Sequence, residues 1–379
     1  MQNIKLSIVG DICIPEGFPV PKLNQIDHKI KEDFTNQDLT IGNLECPITL
    51  SNDAIEKNGP HLRGSEEFLS LLKEINFNLF TLGNNHIMDY GIQGLKDTVA
   101  SCEKNNIQFT GVDFKDINSF PYYYTYEKEG IKLGILNVAE IEFSSTTKKD
   151  PGALRYDLVE IYKQIKKIKK HCDKLILIIH GGIENFELPS SQQVKDYRFL
   201  AEVGADMIIC HHSHKVSGYE IYNGTPIFYG IGNFMFHAKQ KPNDWYIGMQ
   251  LNILISDKIV FEIKINQYDI KTNTLRRVSK QKYKVYKSLI ERLSHIIKDE
   301  ELLEQELDLF ADLHADYYFK VLHNKTSRWQ RILIDRFKMH SLFLKKEQNL
   351  RLINYFYCDS HSFMIKKILK KLNDKKAKK

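Results

Sequence analysis

Five segments of this chain place metal-binding or proton-carrying residues directly after an apolar run. "SIVGD" ends in Asp11, "TIGNLE" in Asn43 and Glu45, and "FTLGNNH" in Asn84, Asn85 and His86. "LIIHGG" carries His180, and "IICHHSH" carries His211, His212 and His214. Carboxylate, amide and imidazole donors suit borderline-hard divalent ions such as Mn²⁺, Fe²⁺ or Zn²⁺. There are too many of them for one tetrahedral zinc and enough for two ions that share a carboxylate. Two such ions about 3.5–4 Å apart clamp a phosphoryl group and generate a hydroxide nucleophile near neutral pH. Each segment alone has a plainer reading: Asp11 as a cap, Asn84 and Asn85 as turn formers, His180 as a packed histidine. "HHSH" resists that reading. In a strand-like segment residues two apart point the same way, which puts His212 and His214 on one side.

These residues need a scaffold, and the sequence supplies one. Strands are expected at 5–10, 39–44, 78–83, 131–138, 174–180, 205–211 and 225–232. Helical periods lie between them: "SEEFLSLLKEIN", with Phe68, Leu71, Leu72 and Ile75 on one face and Ser65 as cap, and "LVEIYKQIKKIKKHC", with Leu158, Ile161, Ile165 and Ile168. Apolar strands alternating with amphipathic helices predict a layered α/β fold with a largely buried sheet. In open α/β sheets the ligand crevice lies outside the carboxyl ends of the strands, where all five segments end. A hairpin is expected around Ser256 to Lys258, and helix beyond about residue 280, with Leu289, Ile290, Leu293, Ile296 and Ile297 in one stripe.

The order of GD, NLE, "NNHIMDYG", "HGGIEN", "GADMIICHHSH" and "YGIGNF" resembles the CapA (PGA_cap) family of capsule and poly-γ-glutamate synthesis proteins, a branch of the calcineurin-like metallophosphoesterases. The resemblance covers residues 1 to about 250. It implies a metallophosphoesterase-like β-sandwich flanked by helices. It also implies Asp11 and Glu45 as carboxylate ligands, with Glu45 a candidate bridge, Asn85 as amide ligand, and His180, His212 and His214 as imidazole ligands of two divalent ions (Mn, Fe or Zn). His86 becomes the general acid, oriented by Asp89. Where the superfamily has the histidine of its first-strand D-x-H, this chain has Cys13, and His211 stands where that pattern has glycine. Substrate contacts are expected from Asn43, Arg63, Glu184, His211 and Asn233. The function implied is a metal-dependent phosphoesterase-type hydrolase in capsule, surface-polysaccharide or poly-γ-glutamate biosynthesis. The alternatives are a non-catalytic CapA-like subunit that binds polymer or partner enzymes, and a metal-dependent nuclease.

Composition bounds these readings. A chain of 379 residues with 42% hydrophobic and 27% charged residues builds a large core. Six cysteines without a CxxC pair read as reduced thiols. No uncharged run is long enough to span a bilayer and no signal-peptide core is present, so the expected location is cytoplasmic or peripheral to a membrane. All 20 glycines and 10 prolines fall at or before Gly248, so turns concentrate there and the rest is mostly regular. The division expected is a catalytic domain at 1–270 and a basic, mainly helical extension at 271–379. From Arg331 to Lys379 there are 14 Lys/Arg against 4 Asp/Glu, a surplus of +10 in a chain whose net charge is +6. "RWQRILIDRFKMHSLF" and "SFMIKKILKKLND", with Phe363, Ile365, Ile368, Leu369 and Leu372 among lysines, read first as packed helices. Second, they read as an attachment to an anionic membrane or a polymer-synthesis complex. Nucleic acid ranks last, because the first part lacks the aromatic and basic interleaving that tracks a strand.

Overall fold

Val and Ile crowd the apolar runs, and β-branched side chains fit a buried pleated surface. The computed structural model describes residues 3–114, 122–322 and 346–377. In chain order the first part builds β1 (Ile4–Cys13), α1 (His28–Thr35), β2 (Leu39–Leu44), α2 (Glu66–Glu74), β3 (Leu79–Thr81), α3 (Gly91–Lys104) and β4 (Gln108–Thr110). Then come β5 (Val112–Asp113), β6 (Tyr124–Lys128), β7 (Ile131–Ala139), β8 (Gly152–Ala153), α4 (Leu158–Ile168), β9 (Lys174–His180), α5 (Ser191–Glu202) and β10 (Met207–His211). The remaining strands are β11 (Tyr219–Tyr222), β12 (Thr225–Phe228), β13 (Asn233–Phe236), β14 (Ile247–Ile255), β15 (Ile259–Asp269) and β16 (Thr274–Arg277). Helices α6 (Lys280–Lys298), α7 (Glu300–Leu322), α8 (Lys346–Tyr357) and α9 (Asp359–Ala377) follow.

Two sheets face each other. The 8-stranded sheet runs β16-β15-β14-β1-β2-β3-β4, with β13 also pairing β1. The 6-stranded sheet runs β11-β12-β10-β9-β7-β6. Ile8, Ile41, Leu79 and Met249 from the first meet Ile135, Ile178, Ile209 and Phe228 from the second in one core. The outer face of the first sheet packs on α1, α2 and α3 through Phe34, Phe68, Leu72, Leu95 and Val99. On the second sheet, Ile168 of α4 lies against Gly134 of β7, and α5 lies against β10 and β12. This is the layered α/β fold that the alternation of elements predicts, in the form of the helix-flanked sandwich that the family resemblance implies. Ser65 caps α2 through the amide of Phe68 at 3.2 Å, and Ile161, Ile165 and Ile168 form the buried face of α4.

The expected strand at 225–232 does not run as one piece. β12 ends at Phe228, and the chain leaves the second sheet and joins the first as β13, with Asn233 opposite Asp11. Gly232, at φ +68°, permits the change of direction.

Contacts divide the chain into two compact units, 1–55 with 61–303, and 56–60 with 304–379. The first therefore extends beyond residue 270, because β16 pairs with β15 and α6 buries Ile290, Leu293, Ile296 and Ile297. Within the second unit the α7 carboxylates meet the α9 lysines. Lys367 pairs with Glu304 and, at 3.0 Å, with Asp308; Lys371 pairs with Asp312 at 2.7 Å. Ile365 and Ile368 are buried, whereas Leu369 is 45% exposed. The basic segment at 328–343 and the side chain of Leu372 lie outside the described residues. Among the described residues no helix is long and apolar enough to cross a membrane.

Asn137 joins the two sheets. Buried in β7, it accepts the amide of Gly83 after β3 at 2.7 Å and donates to the Ile178 carbonyl of β9 at 3.2 Å. Gly111, at φ +97°, makes room for it: a Cβ there meets the Asn137 oxygen at 1.8 Å. Asn137→Ala leaves a buried amide unpaired and is expected to lower stability by about 1–3 kcal/mol. The measurement is a fall in the urea midpoint at unchanged m.

Candidate metal centre

The parallel strands of both sheets deliver their carboxyl ends to one place. Asp11 comes from β1, Asn43 and Glu45 from the end of β2, and Asn84 to His86 from the turn after β3. His180 ends β9, His211 to His214 follow β10, and Asn233 opens β13. β1 reaches the site through a bulge between Val9 and Asp11. Gly10 lies there against the Gly232 carbonyl, where a Cβ meets the oxygen at 1.7 Å.

His212 and His214 converge for a reason different from strand alternation. β10 stops at His211, and both following histidines adopt left-handed backbone, φ +84° and +57°. Such conformations cost about 1–3 kcal/mol each outside glycine and persist where the surroundings over-determine them. The result places His212 Nδ1 3.1 Å from His180 Nε2, and His214 Nε2 3.8 Å from Glu45 Oε1.

Two groups of donors emerge, Asp11–Glu45–His214 and Glu45–His180–His212, all buried, with Glu45 common to both. Asn85 Oδ1 joins the second group, 3.0 Å from His180 Nε2. The two carboxylates differ in surroundings. Asp11 receives the Asn43 amide at 2.8 Å, the backbone N–H of His212 at 3.1 Å, and imidazoles from His211 at 3.2 Å and His214 at 3.4 Å. Burial alone would raise its carboxyl, but the hydrogen bonds of His211 and His214 outweigh it and hold Asp11 well below the usual range. Neither oxygen of Glu45 has a hydrogen-bond partner. Burial first, and then the charges of Asp11 and Glu184, push Glu45 well above the usual range. His180 is held in its neutral, metal-binding form by burial and by its neighbour His212. An orphaned buried carboxylate ringed by oxygen and nitrogen donors fits a divalent cation.

The remaining residues fall into place around this cluster. His86 Nδ1 lies 2.7 Å from Asp89 Oδ2, and Asp89 is also held by the Leu62 amide at 2.7 Å. Glu184 is exposed and near enough to Glu45 to act on its charge. Three expected substrate contacts serve instead as supports. Asn43 binds Asp11 and, at 3.1 Å, His180 Nδ1; His211 reaches Asp11; all three are about as buried as the core. The third, Asn233, donates to the Trp245 carbonyl at 2.9 Å. Its oxygen therefore accepts the Nδ1–H of His214 at 2.9 Å, leaving Nε2 as the donor atom. Arg63 is engaged with Glu16, the Ser51 carbonyl at 2.7 Å and the Tyr90 ring, so it pins its own loop. Cys13 is buried in the apolar cluster with Cys46 rather than in either donor group.

Sequence reasoning missed the end of β7. Glu142 lies 3.8 Å from His212 Nε2, Glu140 accepts the Gly182 amide at 2.9 Å, and Ser144 donates to the Asn85 carbonyl at 2.6 Å. "LNVAEIE" carries the same signal as the other segments, polar residues closing an apolar strand.

Glu45 sets a pH dependence. Its raised pKa means the metal-free fold keeps a proton that the unfolded chain has lost above its ordinary value of 4.5. Stability from this group is present at low pH and falls as pH rises through the folded value. A cation displaces that proton, so binding is expected to release protons, seen as buffer-dependent heats in calorimetry. The thermal stabilisation by Mn²⁺ should grow as pH rises, because less of the bound proton must then be displaced. Equal proton release from Glu45→Gln would contradict the assignment.

Residues 5–238 match the family described as bacterial capsule synthesis protein PGA_cap. The chain is 32% identical over 243 residues to the PGA biosynthesis protein CapA of Bacillus subtilis (strain 168), covering 62% of this chain and 63% of that one. It is 28% identical over 253 residues to the capsule biosynthesis protein CapA of Bacillus anthracis, covering 62% and 60%. The matches thus span less than two thirds of either relative's length. Among solved structures, the NAD nucleotidase of Haemophilus influenzae aligns with a TM-score of 0.43 at 15% identity, covering 80% of this chain and 60% of that one.

Proposed function

Because the chain belongs to the PGA_cap family of bacterial capsule synthesis proteins, we propose that it is a metal-dependent hydrolase of phosphoesters that acts in making a capsule, poly-γ-glutamate or related surface polymer. The observation that carries this reading is the Glu45 carboxylate, shared by both donor groups and without a hydrogen-bond partner. Asp11, Glu45 and His214 would hold one divalent ion, and Glu45, His180, His212 and Asn85 a second. The oxygen and nitrogen donor set suits Mn, Fe or Zn. Bound there, such ions supply Lewis acidity to a phosphoryl oxygen and lower the pKa of water.

The protein's own groups do the rest. Asp89 holds His86 by its Nδ1–H, which fixes the ring and leaves Nε2 to deliver a proton to the departing oxygen. Asn43 holds Asp11, and Asn233 holds His214, in the orientations that ligation would need. Glu184, exposed beside the cluster, meets the substrate. This reading keeps the chain in the cytoplasm or peripheral to a membrane. The C-terminal helices are first a packed unit, as the pairing of Lys367 and Lys371 with α7 supports, and only second a contact for a membrane surface or polymer-synthesis complex.

A second reading, a non-catalytic subunit that binds polymer or partner enzymes, is favoured by Cys13, which leaves the Asp11 group with one donor fewer than the Asn85 group. Elemental analysis separates the two. The hydrolase retains at least one tightly held ion per chain and cleaves an aryl phosphodiester after Mn²⁺ is added; less than one ion and no cleavage selects the subunit. Alanine at His212 or His214 is expected to lower metal content. His86→Gln should keep the metal and slow cleavage by about 10²–10⁴-fold, the usual size of a general-acid contribution.

A further inference from the structure

A groove in the first unit shares no residue with the metal centre. It lies between α1, the β15–β16 edge and α6, with a volume of about 780 Å³, within the range of small-molecule sites. Lys29, Lys264, Arg277, Lys280, Lys284 and Lys287 line it against three carboxylates, Glu32, Asp33 and Glu262. The carboxylates leave a surplus of positive charge. Asp33 pairs with Arg277 and Glu262 with Lys264, while Lys29, Lys280 and Lys284 have no ion-pair partner among the described residues. Lys280, Lys284 and Lys287 fall at i, i+4 and i+7, one exposed face of α6 about 10 Å long.

The floor of the groove is prepared differently. The Arg277 side chain is only 14% exposed. Its NH2 binds Asp33 and, at 3.1 Å, the Gln250 side-chain oxygen. Gln250 is itself held by Asp33 at 3.1 Å and Asn266 at 3.1 Å. This network fixes the guanidinium, yet its NH1 is buried with no hydrogen-bond partner. An unpaired buried N–H of a charged group is costly, and a guanidinium's planar donors match carboxylate and phosphate oxygens.

We propose that this groove binds a small multivalent oxyanion, a di- or tricarboxylate or a phosphate ester. The Arg277 guanidinium, fixed by its network, supplies the positive charge of the floor, and Lys280 and Lys284 meet the outer charge. A nucleic-acid strand fits less well, because Tyr283 is the single aromatic ring of the lining, and strands are held by successive stacked rings.

Titration calorimetry of the full chain with pyrophosphate, and separately with citrate, at about 0.15 M salt tests this. At least one anion binds, and the preference between them names the ligand class. Lys280→Gln/Lys284→Gln, exposed changes checked by an unaltered melting temperature and metal content, weakens binding about tenfold. Arg277→Lys, which keeps charge and removes the planar fork, weakens it as well; should that variant not fold, the lysine pair decides. No binding of either anion, equal binding by the lysine variant, or lysine-dependent binding of a short RNA in place of both anions overturns the proposal.

Discussion

Two carboxylates buried completely at the seam between two sheets set the terms for everything near them. An isolated charge in such a place is strongly disfavoured, and the fold meets the demand unequally. Asp11 is surrounded by donors: an asparagine amide, a backbone N–H and two imidazoles. Glu45 receives none. The left-handed backbone at His212 and His214 belongs to the same economy of space, because it turns a strand end back on itself so that two imidazoles reach different carboxylates. The contrast between an acid with hydrogen-bond donors and one without, a few ångströms apart, is the feature on which the proposed cation site rests.

Much of this was legible in the sequence. Strands buried on both faces appear as unbroken apolar runs, so the polar residue that ends each one stands out, and β2 and β9 fall where the runs at 39–44 and 174–180 place them. The residues gathered in the two groups stand at the ends of such runs as well. Roles were harder to read than positions. Asn43, His211 and Asn233 look like free polar groups in one dimension, yet each faces a ligand that arrives from another strand, and no local pattern records that. Alternation put His212 and His214 on one side, suited to one ion, whereas each joins a different donor group, since the positive φ that separates them leaves no signature. The break between β12 and β13 was hidden because "TPIFYGIG" is as apolar as a strand, and a change of sheet depends on one glycine's backbone.

The far end of the chain shows how charge can mislead in the same way. A lysine-rich helix invites a surface role, but in α9 Lys367 and Lys371 face the carboxylates of α7. Their sequence distance from those partners, about sixty residues, puts the pairing beyond any short-range pattern. β16 and α6 belong with the first unit for a comparable reason: strand pairing and an apolar helix face outweigh the loss of glycine and proline after Gly248.

Asn137 gives the architecture a mechanical meaning. It ties the turn carrying Asn85 and His86, which belongs to the first sheet, to strands β7 and β9 of the second. Glu45 rides on one sheet and His180 and His212 on the other, so the opening between the donors depends on how the two sheets are packed. Side chains between the sheets, such as Ile135 and Met249, act as spacers for that opening. If the cluster binds ions as proposed, a methylene added or removed there would alter the bite of the centre without touching any ligand, and the sandwich core would act as the calliper that sizes them.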